Sequence, residues 1–161
     1  MPALARNGWT RALLAVALIV ALSNAATGVA GARSSARSSA AIEVSEAWAR
    51  TSPMAATNGA VYMVIENRAS KANALVSASV APSVAAEAQI HETRMGEGGT
   101  RSMVEVSEIT LPAGSTVDLE PGGYHIMLVG LAAPLEVGAR IKVTLEFERG
   151  RKQTVKAVVK P

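Results

Sequence analysis

From Ile42 onward, apolar and polar residues alternate over short runs that are enriched in β-branched side chains. The clearest run is Arg140–Glu148, where every second residue from Ile141 to Phe147 is apolar and the residues between them are charged or threonine. A period of two is typical of a half-buried β-strand, and no long stretch of this region has the 3.6-residue period of an amphipathic helix. The pattern therefore predicts an all-β domain.

Nine such runs are separated by turn-forming residues, chiefly Gly, Pro, Asn and Ser. The predicted strands are 42–50, 60–67, 74–79, 87–93, 102–109, 116–119, 124–129, 140–148 and 153–159. A spacing of about 8–12 residues between short strands is typical of a Greek-key β-sandwich or small barrel. Within and beside the last run, Lys152, Lys156 and Lys160 predict a solvated edge strand.

The N-terminal residues have a different pattern. Arg6 and Arg11 precede an unbroken apolar run of eleven residues, Ala12–Leu22, and small residues follow it. This order is typical of a signal peptide, because eleven helical residues span only about 16 Å of the roughly 30 Å of membrane hydrocarbon. We therefore expect a signal peptide at 1–32, cleaved between 25 and 32, a flexible linker at 33–41 and a β-sandwich domain at 42–161.

This organisation predicts a protein exported to the periplasm or another extracytoplasmic space, with no stable membrane span once the leader is removed. The formal charge of +3 also depends on the leader and the linker, because four of the 16 basic residues precede Ile42 and all 13 acidic residues follow it. The domain itself carries about −1. With only 3% aromatic residues it offers neither a basic surface nor stacking platforms, so no nucleic-acid partner is expected.

The chain contains no cysteine. This excludes thiolate catalysis, disulfides and the type of copper electron-transfer centre that requires a cysteine sulfur. It also excludes attachment of a lipid to a cysteine after the apolar run. Any metal site in these 161 residues has to use His, Met, Asp or Glu.

The two histidines of the chain each have methionines nearby. Met95 and Met103 follow His91, and Met127 follows His125 within one predicted strand. Residues i and i+2 of a strand face the same side with Cα atoms about 6.5–7 Å apart, so one ion can reach both His125 and Met127. Two imidazoles and two thioethers form a neutral, soft ligand set, which favours Cu(I) over Zn²⁺ or Mg²⁺.

The spacing of these residues resembles the periplasmic copper chaperone family called PCuAC. Its pattern is a His, a Met twelve positions later, twenty-one further residues and then His-x-Met, and His91, Met103, residues 104–124 and His125-Ile126-Met127 have this spacing. The segments Ala47–Arg50, Ile109–Gly114 and Pro121–Leu128 are similar to the family as well. Many members have a Met directly after the first His, where this chain has Glu92.

The resemblance implies a cupredoxin-like β-sandwich that carries copper as Cu(I) and delivers it for assembly of the copper centre of cytochrome oxidase. The implied ligands are His91, Met103, His125 and Met127, with Met95 as a candidate auxiliary ligand. We expect a non-enzymatic, monomeric carrier that passes the ion by ligand exchange to an oxidase subunit or another copper chaperone. We also expect the site to lie at one end of the sandwich, on loops and strand ends.

Three alternatives remain open at this point. The chain could be an exported interaction or adhesion module in which the His and Met side chains only pack, or a copper scavenging or storage protein. A copper enzyme ranks last, because redox cycling generally requires more nitrogen ligands than two histidines supply.

Overall fold

The computed structural model describes residues 41–161, and these form a strand-rich domain. The signal peptide predicted at 1–32 and the linker up to residue 40 lie outside the described residues. The strands are β1 (Ile42–Arg50), β2 (Asn58–Asn67), β3 (Asn73–Val80), β4 (Ala85–Met95), β5 (Arg101–Glu105), β6 (Ile109–Leu111), β7 (Thr116–Leu119), β8 (Tyr124–Leu131), β9 (Arg140–Phe147) and β10 (Lys152–Lys160). The predicted all-β fold is confirmed.

The ten strands form one continuous hydrogen-bonded ladder in the order β5-β4-β8-β7-β2-β1-β10-β9-β3-β6, in which β8 also pairs with β2. Most neighbours are antiparallel, whereas β1 runs parallel to β10 and β7 runs parallel to β8. Only residues 106–108 connect β5 to β6, which are the two ends of the ladder. Since so short a link spans at most about 14 Å, the ladder must curl until its ends lie close together.

The curled ladder encloses one apolar core, to which all the long strands contribute. In β9, Ile141, Val143, Leu145 and Phe147 are buried, while Lys142 and Glu148 on the other face and at the strand end are exposed. The alternation in the sequence therefore gave the correct inward face, and the predicted sandwich or barrel architecture is confirmed. Within residues 41–161, no helix is long and apolar enough to cross a membrane.

Two sequence predictions about the strands were wrong. The run 102–109 is not one strand, because the chain leaves β4 after Glu105 and pairs with β3 from Ile109 onward. The strand with three lysines is not an edge either, since β10 lies between β1 and β9. Its lysines are exposed because they occupy the outward face of a central strand, and this gives the same sequence pattern as an edge.

Asn67 fixes the connection that follows β2. Its side chain is fully buried, and its amide nitrogen donates to the carbonyl oxygens of Lys71, Leu111 and Pro112 at 2.9–3.1 Å. The amide oxygen accepts from the Ala69 N–H. This buried polar group is therefore saturated, and it holds three loop segments together.

Candidate metal site

The pairing of β4 with β8 places the two histidines directly opposite each other. His91 is paired with His125, and the adjacent pair in the ladder is Ile90 with Ile126. Because neighbouring residues of a strand face opposite sides, the isoleucines enter the core and the histidines lie on the outer face of the same strands. The two imidazole ring centroids are 5.8 Å apart.

The same register brings both methionines to this face. Met127 is two residues beyond His125, and Met103 on β5 is paired with Thr93, which is two residues beyond His91. Met103, His125 and Met127 line one cleft of about 250 Å³. Residues that are distant in sequence are therefore gathered on one face of three adjacent strands, β5, β4 and β8.

All four residues lie within strands, and His125 alone is next to a strand end. The expected position on loops was therefore wrong for His91, Met103 and Met127. Met95 is the last residue of β4, about 13 Å along the strand from His91 at the usual rise per residue. It is 66% exposed and, like His91, lines neither cleft that contains His125, so its role as an auxiliary ligand stays a prediction.

Each imidazole is held through one ring nitrogen. His125 Nδ1 lies 3.2 Å from the Gly123 carbonyl oxygen, and His91 Nε2 lies 3.1 Å from Gln89 Oε1. Both partner atoms are acceptors only, so the ring nitrogen facing each of them carries the proton. A neutral imidazole has one N–H, which leaves a lone pair on His125 Nε2 and on His91 Nδ1.

Those two remaining nitrogens are buried and have no hydrogen-bond partner. Buried polar atoms in folded proteins are nearly always paired, and an unpaired one costs about 1–3 kcal/mol. A histidine that donates one N–H to the protein and keeps its other nitrogen free is arranged as metal-binding histidines are. Residues 41–161 contain no group of three or more His, Cys, Asp or Glu suited to a metal, so thioethers have to complete a site here.

The cleft has an aromatic and cationic wall. The Tyr62 ring lies 6.3 Å from the His125 ring and 4.6 Å from that of Trp48, measured between centroids. Arg50 lines this cleft, and a second cleft beside His125 and Met103 is lined by both Arg50 and Arg101. Two guanidinium groups disfavour a divalent cation about twice as strongly as a monovalent one, because Coulomb energy is proportional to charge.

Burial also affects the titrating groups of the cleft. Desolvation lowers the pKa of His125 below its usual 6.5 and His91 lowers it further, against the opposing hydrogen bond to Gly123. Burial raises the pKa of Tyr62, and Arg50 partly offsets this effect. His125 is therefore held in the neutral form that a metal requires.

Sequence reasoning missed Gln89, Tyr62 and Arg50. Gln89 was detectable in principle, because it is two residues before His91 and so shares its face in any strand. Tyr62 and Arg50 gave no such signal. They reach the cleft only because β2 pairs with β8 and β1 pairs with β2.

Residues 42–159 match the LpqE-like family, whose description is "Putative lipoprotein LpqE-like". A curated relative, "Putative lipoprotein Lxx21020" of Leifsonia xyli subsp. xyli, is 36% identical over 151 residues, which cover 93% of this chain and 89% of that protein. These matches extend over the whole described domain.

Three solved structures are similar to the domain. The apo PCuAC domain from PmoF1 is 25% identical with a TM-score of 0.64, over 75% of this chain and 94% of that one. The copper-bound PCuAC domain from PmoF2 is 27% identical with a TM-score of 0.62, over 75% and 93%. CuI-DR1885 from Deinococcus radiodurans is 31% identical with a TM-score of 0.60, over 79% and 85%. The resemblance to PCuAC domains is thereby confirmed.

Proposed function

The chain belongs to the LpqE-like family, and from this premise we propose that it is an exported copper chaperone. It binds one Cu(I) through His91, Met103, His125 and Met127 and transfers the ion to an acceptor protein. The proposal is supported by two similar structures, the copper-bound PCuAC domain from PmoF2 and CuI-DR1885 from Deinococcus radiodurans.

One observation carries the assignment. Two imidazoles face each other across β4 and β8, and each is fixed by a hydrogen bond through one nitrogen and retains a buried, unpaired lone pair on the other. A core that only packed these histidines would gain stability by replacing them with apolar side chains. The unpaired nitrogens therefore support a ligand role over the interaction module, and the neighbouring thioethers favour a soft monovalent ion.

Exposure supports a carrier over a store. His91 and His125 are 9% and 3% exposed, whereas Met103 is 63% exposed. An incoming ligand from a partner can therefore displace the Met103 thioether while the two histidines still hold the ion. In this exchange one copper–sulfur bond breaks as one bond to the acceptor forms, with no change of oxidation state.

The acceptor we propose is an oxidase subunit or another copper chaperone, in the assembly of the copper centre of cytochrome oxidase. The protein acts as a monomer without catalysis in the periplasm or an equivalent extracytoplasmic space. Acylation, which the family description suggests, would require a cysteine, and these 161 residues contain none. The proposal of export therefore relies on the leader predicted at 1–32.

The test is the stoichiometry of Cu(I) on the full chain, loaded under anaerobic reducing conditions and separated from free copper. We expect one Cu(I) per wild-type chain and nearly none for the double variant His125→Ala with Met127→Ala. Met54→Ala is the matched control, because Met54 is 92% exposed and outside the proposed ligand set. It is expected to bind as the wild type does.

Absence of copper from the wild-type chain would refute the proposal and favour the interaction module. Equal copper content in the wild type and the double variant would place the ion elsewhere. A loaded wild-type chain is then mixed with a purified copper-binding domain of an oxidase subunit. Retention of the copper by the chain, with no transfer to this acceptor, would contradict the carrier role.

A further inference from the structure

Three alternate residues of β4 form a chain of hydrogen bonds that ends at a proposed ligand. The amide nitrogen of Gln89 donates to Glu87 Oε2 at 3.2 Å, and the amide oxygen of Gln89 accepts from His91 Nε2 at 3.1 Å. The three side chains share one face because they are two residues apart on a strand. This series of hydrogen bonds starts at the exposed Glu87 and ends at the buried His91.

The chemistry of these groups fixes the direction of every bond. An ionised carboxylate only accepts, so Glu87 requires the NH₂ end of the Gln89 amide. The amide oxygen then faces His91, and it too only accepts. His91 Nε2 must therefore carry the imidazole proton, which leaves Nδ1 as the nitrogen with the free lone pair.

We propose that Gln89, oriented by Glu87, is a positioning residue that selects the tautomer and ring orientation of His91 in which Nδ1 is available to Cu(I). This inference rests on the proposed function, since it assumes that His91 binds the ion. It predicts an asymmetric site, in which His91 binds through Nδ1 and His125 through Nε2. Removal of a residue that orients a metal ligand through a hydrogen bond typically lowers metal affinity about 10–100-fold.

The two histidines differ in how they are held. His125 is fixed by a backbone carbonyl, that of Gly123, which no side-chain substitution removes. His91 is held by a side chain, that of Gln89. Glu105, which is paired with His91 on the neighbouring strand β5, lines a cleft together with Glu87 and Gln89. Substitution of Gln89 therefore isolates the positioning of one ligand while the other stays unchanged.

The experiment uses the full chain with Gln89→Leu, which removes the acceptor, and Gln89→Glu, which keeps an acceptor facing His91. Gln153→Leu on β10 is the matched control, since it makes the same change at the other glutamine of the sequence. The tautomer of His91 is determined in the copper-free protein by long-range ¹H–¹⁵N correlation NMR. Cu(I) affinity is determined by competition with bicinchoninate, and folding is checked by urea denaturation.

We expect the wild type, Gln89→Glu and Gln153→Leu to hold His91 as the Nε2–H tautomer. Gln89→Leu should show a tautomer mixture and bind Cu(I) about 10–100-fold more weakly. Gln89→Glu should stay within about threefold of the wild type in Cu(I) affinity, because its carboxylate still accepts from His91 Nε2. If the neutral amide of Gln89 had only a structural role, a carboxylate would not rescue it.

An unchanged His91 tautomer and unchanged Cu(I) affinity in Gln89→Leu would overturn the inference. So would an equal loss of affinity in Gln89→Leu and Gln89→Glu with the same tautomer as the wild type. If the wild-type chain bound no copper, the proposed function would fail and the ligand role of His91 with it. The tautomer measured without copper would still decide whether Gln89 orients the ring.

Discussion

Replacing His125 with leucine should stabilise the copper-free protein while it abolishes copper binding. His125 is 3% exposed, and its Nε2 has no partner, which costs about 1–3 kcal/mol. The substitution removes that cost and loses one hydrogen bond to the Gly123 carbonyl, worth about 0.5–1.5 kcal/mol. The carbonyl is not left unpaired, because it also accepts from the Thr93 N–H at 3.1 Å. The central values, about 2 and about 1 kcal/mol, give a net gain in the free energy of unfolding of about 1 kcal/mol, and the two ranges bound it between about −0.5 and 2.5 kcal/mol.

The gain should increase in mild acid. Burial lowers the pKa of His125 in the folded chain. As the pH falls below the usual pKa of 6.5, His125 therefore binds a proton in the unfolded chain before it does so in the folded chain. The stability of the wild type therefore decreases as the pH falls through this range, and His125→Leu does not share that decrease. Urea denaturation at pH 7.5 and 5.5 without copper measures both effects.

Met127→Leu is the matched control, because it conserves volume and removes no unpaired polar atom. Its apo stability should change by less than about 1.5 kcal/mol, although it loses one thioether. Copper at 100 times its dissociation constant should add about 2.7 kcal/mol to the wild type and nothing to His125→Leu. A His125→Leu protein that is less stable than the wild type by more than about 0.5 kcal/mol at pH 7.5 without copper would refute the reasoning about the unpaired nitrogen.

Three other outcomes are expected. Cu(I) affinity should decrease between pH 7.5 and 5, because both imidazoles bind only when neutral. The lowered pKa of His125 moves its contribution to this decrease below pH 6.5. A competition titration that shows constant affinity over this range would contradict the prediction. Met103→Leu should lower Cu(I) affinity and speed transfer to bicinchoninate in stopped-flow measurements, because the thioether that an incoming ligand has to displace is gone. It should alter apo stability by less than about 0.5 kcal/mol, since the side chain is 63% exposed. Asn67→Ala should cost about 3 kcal/mol or more in urea denaturation, because it leaves buried carbonyls unpaired, and copper stoichiometry of the folded protein should not change.

The candidate ligands could be chosen from the sequence because the chain has no cysteine and two histidines, and because their spacing to Met103 and Met127 matches a known family. Their ligand role remains a prediction. The alternation in β9 fixed its buried face, since a period of two requires no knowledge of the partner strands. The prediction that β10 is an edge strand failed, because a lysine row on the outward face of a central strand and one on an edge strand have the same pattern.

The tertiary structure places the candidate ligands close to one another. His91 and His125 are 34 residues apart, and only the register of β4 with β8 sets them opposite each other. A shift of that register by one residue would turn one histidine towards the core, and nothing local to either strand specifies the pairing. The cationic residues beside the site likewise come from neighbouring strands, whereas the hydrogen bonds that hold the two imidazoles are local, between residues two positions apart in the sequence. The sequence by itself determined which atoms are available to bind a metal, and the pairing of the strands decided which of them meet.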